Sequence, residues 1–387
     1  MDCDKGIVLL KKILIVFGTR PEAIKMCPLV NALKAKSGFH ITVCVTGQHR
    51  SMLDQVLKTF QVIPDYDLSI MREGQTLFDI TTAVLKKMKP VLEKERPDIV
   101  CVHGDTTTSF AAALASFYLG IPIGHVEAGL RTYNIRSPYP EEFNRQTVGN
   151  ICDIHFAPTE RSRDNLLREG KKESTVFVTG NTVIDALRTT ICSDYSHPVL
   201  SWASGSRLIL ITAHRRENIG EPMSRMFRAI KKVMDEHKDV KAVYPVHPNP
   251  AVRKMAEEVF GASSSEKNSR IHMIEPLDVV DFHNFMNASY LIMTDSGGVQ
   301  EEAPFLGKPV LVMRDTTERL EGAEAGTLKL VGTDEKKIYE SFTELLDNQS
   351  EYDSMAYALN PYGDGHASEK ISDILEMWFL HKSQEEK

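Results

Sequence analysis

Short β-branched runs alternate with helix-like stretches along nearly the whole chain, and this alternation constrains the fold more than any single motif. Apolar runs occur at residues 13–17, 41–46, 99–103, 123–126, 154–157 and 176–179. Between them lie segments with helical spacing at 22–36, 52–60, 77–95, 109–118, 141–150 and 161–168. A second series of runs opens at 208–212 and continues at 242–245, 271–274, 291–294, 310–313 and 328–331. Runs this short, without polar alternation, suit parallel strands covered on both faces. The chain therefore reads as α/β, with two doubly wound Rossmann-like domains. Turn residues at 185–206 break the pattern and place the join, giving domains 1–190 and 191–365. A last helix at 366–383 follows the turn-rich segment 360–365 and is free to return to the first domain.

At 387 residues the chain is long enough for two large cores. Its net charge of −7 argues against a general nucleic-acid binder, while leaving room for local basic pockets. Cys3, Cys27, Cys44, Cys101, Cys152 and Cys192 are scattered without a CxxC pair or metal-ligand spacing, which suits buried thiols in a reducing compartment. The N-terminus lacks the h-region of a signal peptide and no 18-residue apolar run occurs, so a soluble cytoplasmic protein without membrane association is expected.

The densest chemistry lies in Asp295 to Gly322. After a buried run, Ser296, Gly297 and Gly298 turn into a helix, where glycines admit close backbone approach and helix N–H groups favour an anion. Gln300, Glu301 and Glu302 open that helix, and Arg314, Glu318 and Arg319 follow the next run. An ordinary strand–turn–helix with a solvated charged face would also explain the pattern.

Ligands of doubly wound sheets sit at the carboxyl ends of the strands. Those ends carry Arg20 with Lys25, then Asp105, Glu127, and Glu141 with Arg145. Each has a structural explanation as well: Asp105 as a helix cap, Glu127 as an ion-pair partner of Arg131, and Glu141 as a charge on a helix dipole. Acids at successive strand ends are a stronger signal than any one alone. In the second half, His214 and Arg215 leave the first run, and His247 ends the next. No GxGxxG follows residues 13–17, so no nicotinamide cofactor is expected, and no metal site is read.

The block DSGGVQEEAPFLGKPVLVMRDTTERLEG resembles the non-hydrolysing UDP-N-acetylglucosamine 2-epimerases. So do GTRPEAIKMCPL, HGDTTTSFAAALAS, HVEAGLRT, PEEFNRQ, TGNTVIDAL, TAHRREN, YPVHPNP and NPYGDGHAS, and together these blocks cover nearly the whole chain. Leu320 stands where that family usually has proline. The resemblance implies a GT-B-like fold with the C-terminal crossover and an active cleft between the domains. It implies Asp105, Glu127 and Glu141 as the acid/base group around C2 of the sugar, with His214 assisting at the phosphate. Arg20, Lys25 and Arg145 would stabilise charge on the departing diphosphate, and Ser296, Gly297, Gly298, Glu302 and Arg319 would hold phosphate and ribose, with Phe282 near the uracil. Family members are generally homodimers. Many bacterial relatives bind a second UDP-N-acetylglucosamine as activator, at positions matching Gln48, Ser51, Gly74, Gln75, Glu141, Arg215 and His247. Ser51 replaces a glutamine and Gly74 an arginine, which implies a weakened activator site.

The implied reaction is reversible inversion at C2 of UDP-N-acetylglucosamine. Elimination of UDP gives 2-acetamidoglucal, and re-addition with protonation from the other face gives UDP-N-acetylmannosamine for cell-surface polysaccharide synthesis. The competing expectations are a hydrolysing 2-epimerase releasing N-acetylmannosamine, a GT-B glycosyltransferase, and a nucleotide-sugar binding protein with no use for the three acids.

Overall fold

The computed structural model describes residues 10–47, 50–72, 74–261 and 270–385. The chain divides into two compact units, Met1–Ala186 with Gly363–Lys387, and Leu187–Tyr362. The first holds β1 (Lys11–Phe17), β2 (Phe39–Val45), β3 (Tyr66–Asp67), β4 (Ile99–His103), β5 (Ile123–Val126), β6 (Ile154–Ala157) and β7 (Val176–Val178). These form one parallel sheet in the order β3-β2-β1-β4-β5-β6-β7. The second holds β8 (Arg207–Thr212), β9 (Val240–Pro245), β10 (Ile271–Ile274), β11 (Leu291–Thr294), β12 (Val310–Val312) and β13 (Leu328–Leu330). Its parallel order is β10-β9-β8-β11-β12-β13.

The central strands follow the apolar runs because they are covered on both faces: residues 13–17, 99–102 and 291–293 are wholly buried. Only β3 has no counterpart among the sequence expectations, since a two-residue edge pairing leaves no run to read. The turn-rich stretch at 185–206 departs from expectation. It holds the end of a helix, Thr182–Thr190, and a short helix, Pro198–Ala203. Asp185 is no turn residue but a buried cap, its carboxylate accepting the N–H groups of Ala367 and Ser368 at 3.2 and 2.6 Å. That fixes the start of the Ala367–Glu385 helix, which lies on the first unit with the Phe379 ring 6.0 Å from Phe39. Among the thiols, Cys27, Cys44 and Cys101 are buried, Cys152 is half-buried and Cys192 is exposed; Cys3 lies outside the described residues. No described helix is long and apolar enough to cross a membrane.

In each sheet the strand order reverses in the middle, at β1 beside β4 and at β8 beside β11. Crossovers that leave such a point in opposite directions open a crevice at the strands' carboxyl ends. The residues after β1 and β4, and after β8 and β11, therefore stand where a ligand is admitted.

Candidate active site

At the first crevice the chain leaves β1 through Gly18 and Thr19 into the Arg20–Lys34 helix. Thr19 and Glu22 form a reciprocal capping box, with Pro21 in the first turn. The buried Glu22 carboxylate accepts Gly18 and Thr19 N–H at 3.0 and 2.8 Å, and the Thr106 and Ser109 hydroxyls at 2.7 and 3.0 Å. It thereby ties the exit of β1 to the exit of β4. This locking role is one the sequence reading missed. Lys25, on the inward face of the same helix, is buried and ion-paired with Glu127.

Glu127 follows β5 in left-handed backbone, φ 62°. A non-glycine residue pays about 1–3 kcal/mol for this, and the surroundings must over-determine it. Here they do: Asn181 Nδ2 donates to Glu127 Oε1 at 2.9 Å, beside the Lys25 ammonium, and His103 Nε2 lies 3.5 Å from Oε2. Arg131, the sequence-derived alternative partner, instead grips Glu169 with two bonds of 2.7 and 2.8 Å. Asp105 does not cap the following helix, because Thr106 does. The Asp105 carboxylate, with a quarter of its side chain exposed, is ion-paired with Arg145. Burial raises its pKa; Arg145 opposes, while Glu127 and Glu141 push it further up. So Asp105 senses both of the other acids expected with it.

The Glu141–Ile151 helix starts with two glutamates that sequence alone could not rank. Glu142 is wholly buried and accepts Thr132 N–H and Tyr133 N–H at 3.0 Å each and Gln146 Nε2 at 2.7 Å. Glu141 is half-buried and makes no hydrogen bond among the described residues, so its carboxylate remains available. Arg145 is buried, with Nε and Nη1 lacking a hydrogen-bond acceptor, so a ligand oxygen would satisfy it. Arg20 stands apart, its Nη1 4.0 Å from the Met52 sulfur, with no ion pair among the described residues.

The second crevice is organised by Asp295, a fully buried carboxylate just after β11. It accepts His214 N–H at 3.0 and 2.9 Å, Arg215 N–H at 2.9 Å and Asn218 Nδ2 at 3.1 Å. These bonds shape the loop after β8 and turn the His214 ring outward, 38% exposed. His214 stacks on His247 at 5.4 Å and 15°. Burial lowers its pKa against the pull of Asp295, and His247 and Arg215 lower it more, so the ring is neutral near pH 7.

Beyond Asp295 the Ser296–Gly298 turn enters a seven-residue helix, Val299–Phe305. The N–H groups of Gly297, Gly298 and Val299 find no acceptor among the described residues, leaving donors for an anion. Glycine at 297 answers to packing: a Cβ there would sit 2.9–3.4 Å from the Arg319 guanidinium. That guanidinium cannot swing aside, because its Nε donates to buried Glu301 at 2.8 Å and its Nη1 binds Glu318. Burial alone would raise Glu318, but Arg319, Arg314 and Arg215 hold it down at about 2. Gln300 faces inward as a strut, reaching Ser296 O at 3.0 Å and the Thr317 hydroxyl at 2.7 Å. Glu302 lies 3.6 Å from His283 Nε2, and His283 Nδ1 meets the Thr190 hydroxyl at 2.6 Å. The Phe282 ring is beside His283, centroids 6.5 Å apart. Asp295, His283 and Gln300 support the site residues, but their type alone gave no sign of it.

Of the activator positions, Gln48 and the Ser51 side chain lie outside the described residues. Gln75 is bonded within its own loop, to Ile70 O at 2.6 Å and Arg72 N at 2.9 Å. Gly74 has φ +72°, where an arginine would be strained.

The sequence family described as UDP-N-acetylglucosamine 2-epimerase matches residues 31–376. The chain is 57% identical over 374 residues to the UDP-N-acetylglucosamine 2-epimerase of Bacillus subtilis, covering 97% of each. A crystal structure from Listeria monocytogenes is 56% identical with a TM-score of 0.91, covering 96% of this chain and 97% of that one. The Neisseria meningitidis UDP-GlcNAc 2-epimerase, solved with UDP-GlcNAc bound, is 48% identical with a TM-score of 0.87, covering 95% of this chain and 100% of that one. A glycosyltransferase of kitacinnamycin, 11% identical with a TM-score of 0.65, shares the fold alone and marks it as GT-B-like. The chain belongs to the UDP-N-acetylglucosamine 2-epimerase family.

Proposed function

We propose that the protein interconverts UDP-N-acetylglucosamine and UDP-N-acetylmannosamine by eliminating UDP to 2-acetamidoglucal and adding it back. The observation that carries this reading is the group of three acids, Asp105, Glu127 and Glu141, interleaved with Lys25 and Arg145. A binding protein has no use for it. No carbonyl adjoins C2, so its proton leaves only as the C1–O bond breaks. The C2–H electron pair becomes the C1=C2 bond, the C1–O pair departs with UDP, and the proton passes to a carboxylate. Return requires a proton delivered to the other face. Glu127 serves as base, and Asp105, kept protonated more readily by burial, suits the acid; Glu141 completes the group.

The second unit holds UDP. Backbone donors at residues 297–299, Arg319 and the neutral His214 N–H meet the diphosphate, Glu302 the ribose hydroxyls, and Phe282 the base. Holding such donors in place lets them stabilise leaving-group charge without reorganisation. Arg20, Lys25 and Arg145 supply positive charge to offset that of the departing diphosphate. A second UDP-N-acetylglucosamine acts as a weak activator, because Gly74 brings no guanidinium and Gln75 is spent on its own loop.

We read the protein as a homodimer. Support comes from the helices Leu77–Glu95, Thr107–Tyr118 and Glu141–Ile151, which lie side by side with exposed Phe78, Phe117, Tyr118 and Phe143.

Proton NMR of the protein with UDP-N-acetylglucosamine in D2O tests the chemistry. The expected result is the 2-epimer with deuterium at C2 and little free sugar. Free N-acetylmannosamine with UDP would assign hydrolysis instead, and no exchange at C2 would sink epimerisation.

A further inference from the structure

His103 is the last residue of β4, buried, and has so far been given no part in the chemistry. Its Nε2 has no hydrogen-bond partner although it is buried, and it lies 3.5 Å from Glu127 Oε2. A buried polar atom left unsatisfied is costly and calls for an explanation. The opposite oxygen of the same carboxylate, Oε1, receives both Lys25 Nζ and Asn181 Nδ2. The two oxygens of Glu127 are therefore unlike: one is met by donors, the other by an imidazole nitrogen.

Burial keeps the His103 ring neutral, Lys25 reinforces this, and Glu127 and Glu22 oppose it. The ring's one N–H, at Nδ1, donates to the backbone oxygen of His103 itself, so the neutral ring turns its lone pair at Nε2 toward Glu127. Facing an ionised carboxylate oxygen, that lone pair has nothing to bind; facing a protonated one, it accepts the O–H. The pair is thus complete only when one proton sits on it. We propose that His103 is a positioning residue that accepts the O–H formed on Glu127 Oε2 when the proton of C2 is taken up, and holds that proton for return. The inference rests on the epimerase reading and adds to it the atom that receives the proton. In the step, the C2–H bond breaks and an O–H forms at Oε2. The C–H electrons enter the C1=C2 bond, and the C1–O electrons leave with UDP. His103 gains a hydrogen bond and no charge.

Lys25, on one side of the carboxylate, favours its charged form; an acceptor on the other side favours the protonated one. Asp105 is a further charged group near Glu127. Removing the acceptor should make Glu127 a weaker base without touching nucleotide binding.

The experiment compares wild type, His103→Leu and His103→Gln by kcat and KM across pH, with UDP binding followed calorimetrically. His103→Leu removes the acceptor at similar volume; His103→Gln offers a carbonyl oxygen near the place of Nε2. The expected result for His103→Leu is a kcat lowered by about tenfold or more and an acidic limb displaced to lower pH, with KM and UDP affinity little changed. His103→Gln should restore part of kcat and move the limb back. An unmoved limb in His103→Leu, or equal losses in both variants, would overturn the proposal and leave a packing role. If wild type itself exchanges no deuterium into C2, the epimerase reading fails first; if wild type exchanges and the limb is fixed, only the role of His103 fails.

Discussion

At the scale of single residues, chemistry and support are divided between neighbours that look alike in sequence. Glu141 and Glu142 are the clearest pair. Glu142→Leu leaves the N–H groups of Thr132 and Tyr133 and the Gln146 amide without their acceptor, and should cost about 1–3 kcal/mol in urea unfolding. Glu141→Gln should lose about two orders of magnitude in kcat or more while its unfolding curve stays near wild type. Equal stability losses in both would refute the division. Leu320 offers a different test. It is the first residue of the Leu320–Glu324 helix, exposed, with no acceptor for its N–H among the described residues. Proline is at home there, so Leu320→Pro should stabilise by about 0.4–1 kcal/mol through the unfolded chain, read as a shift in the urea midpoint. A loss would mean that Arg319, at ψ 56°, cannot accept the added ring.

Among elements, the neighbouring strands β5 and β6 carry buried histidines directly across from each other, His125 opposite His155. Burial lowers His125 to about 3, despite its bond to Gly104 O at 2.7 Å, and lowers His155 to about 4. Both stay neutral in the folded sheet, while the unfolded chain takes up protons below its ordinary value of about 6.5. Stability is therefore unaffected above that pH and is lost as pH falls from there toward 4 and then 3. Each histidine contributes a slope of up to about 1.4 kcal/mol per pH unit. Urea midpoints measured at pH 7, 6 and 5 should fall accordingly, and His155→Asn should flatten the fall. An unchanged slope in that variant would show that the carboxylates, not this strand pair, govern acid sensitivity.

For the whole molecule, the exposed aromatic face of the first unit is the feature its own core does not explain. Phe78 is 83% and Tyr118 71% exposed, and exposed apolar side chains gathered on neighbouring helices mark an interaction face. Light scattering should give a dimer for wild type and a monomer for Tyr118→Glu, since a carboxylate would be stranded in an apolar contact. A dimer that tolerates the charge would place the contact elsewhere. What the sequence determined alone was the architecture and the types of residue at the crevices. Short β-branched apolar runs became the buried parallel strands, and the quoted motifs fall at strand ends because the periodicity stops there. The tertiary structure decided which residues face which. It separated Glu141 from Glu142, gave Arg131 to Glu169, turned Asp185 into the cap of a distant helix and set His103 beside Glu127. Those partners are far apart along the chain. Their pairing depends on strand order and on desolvation, and neither leaves a local mark on the sequence.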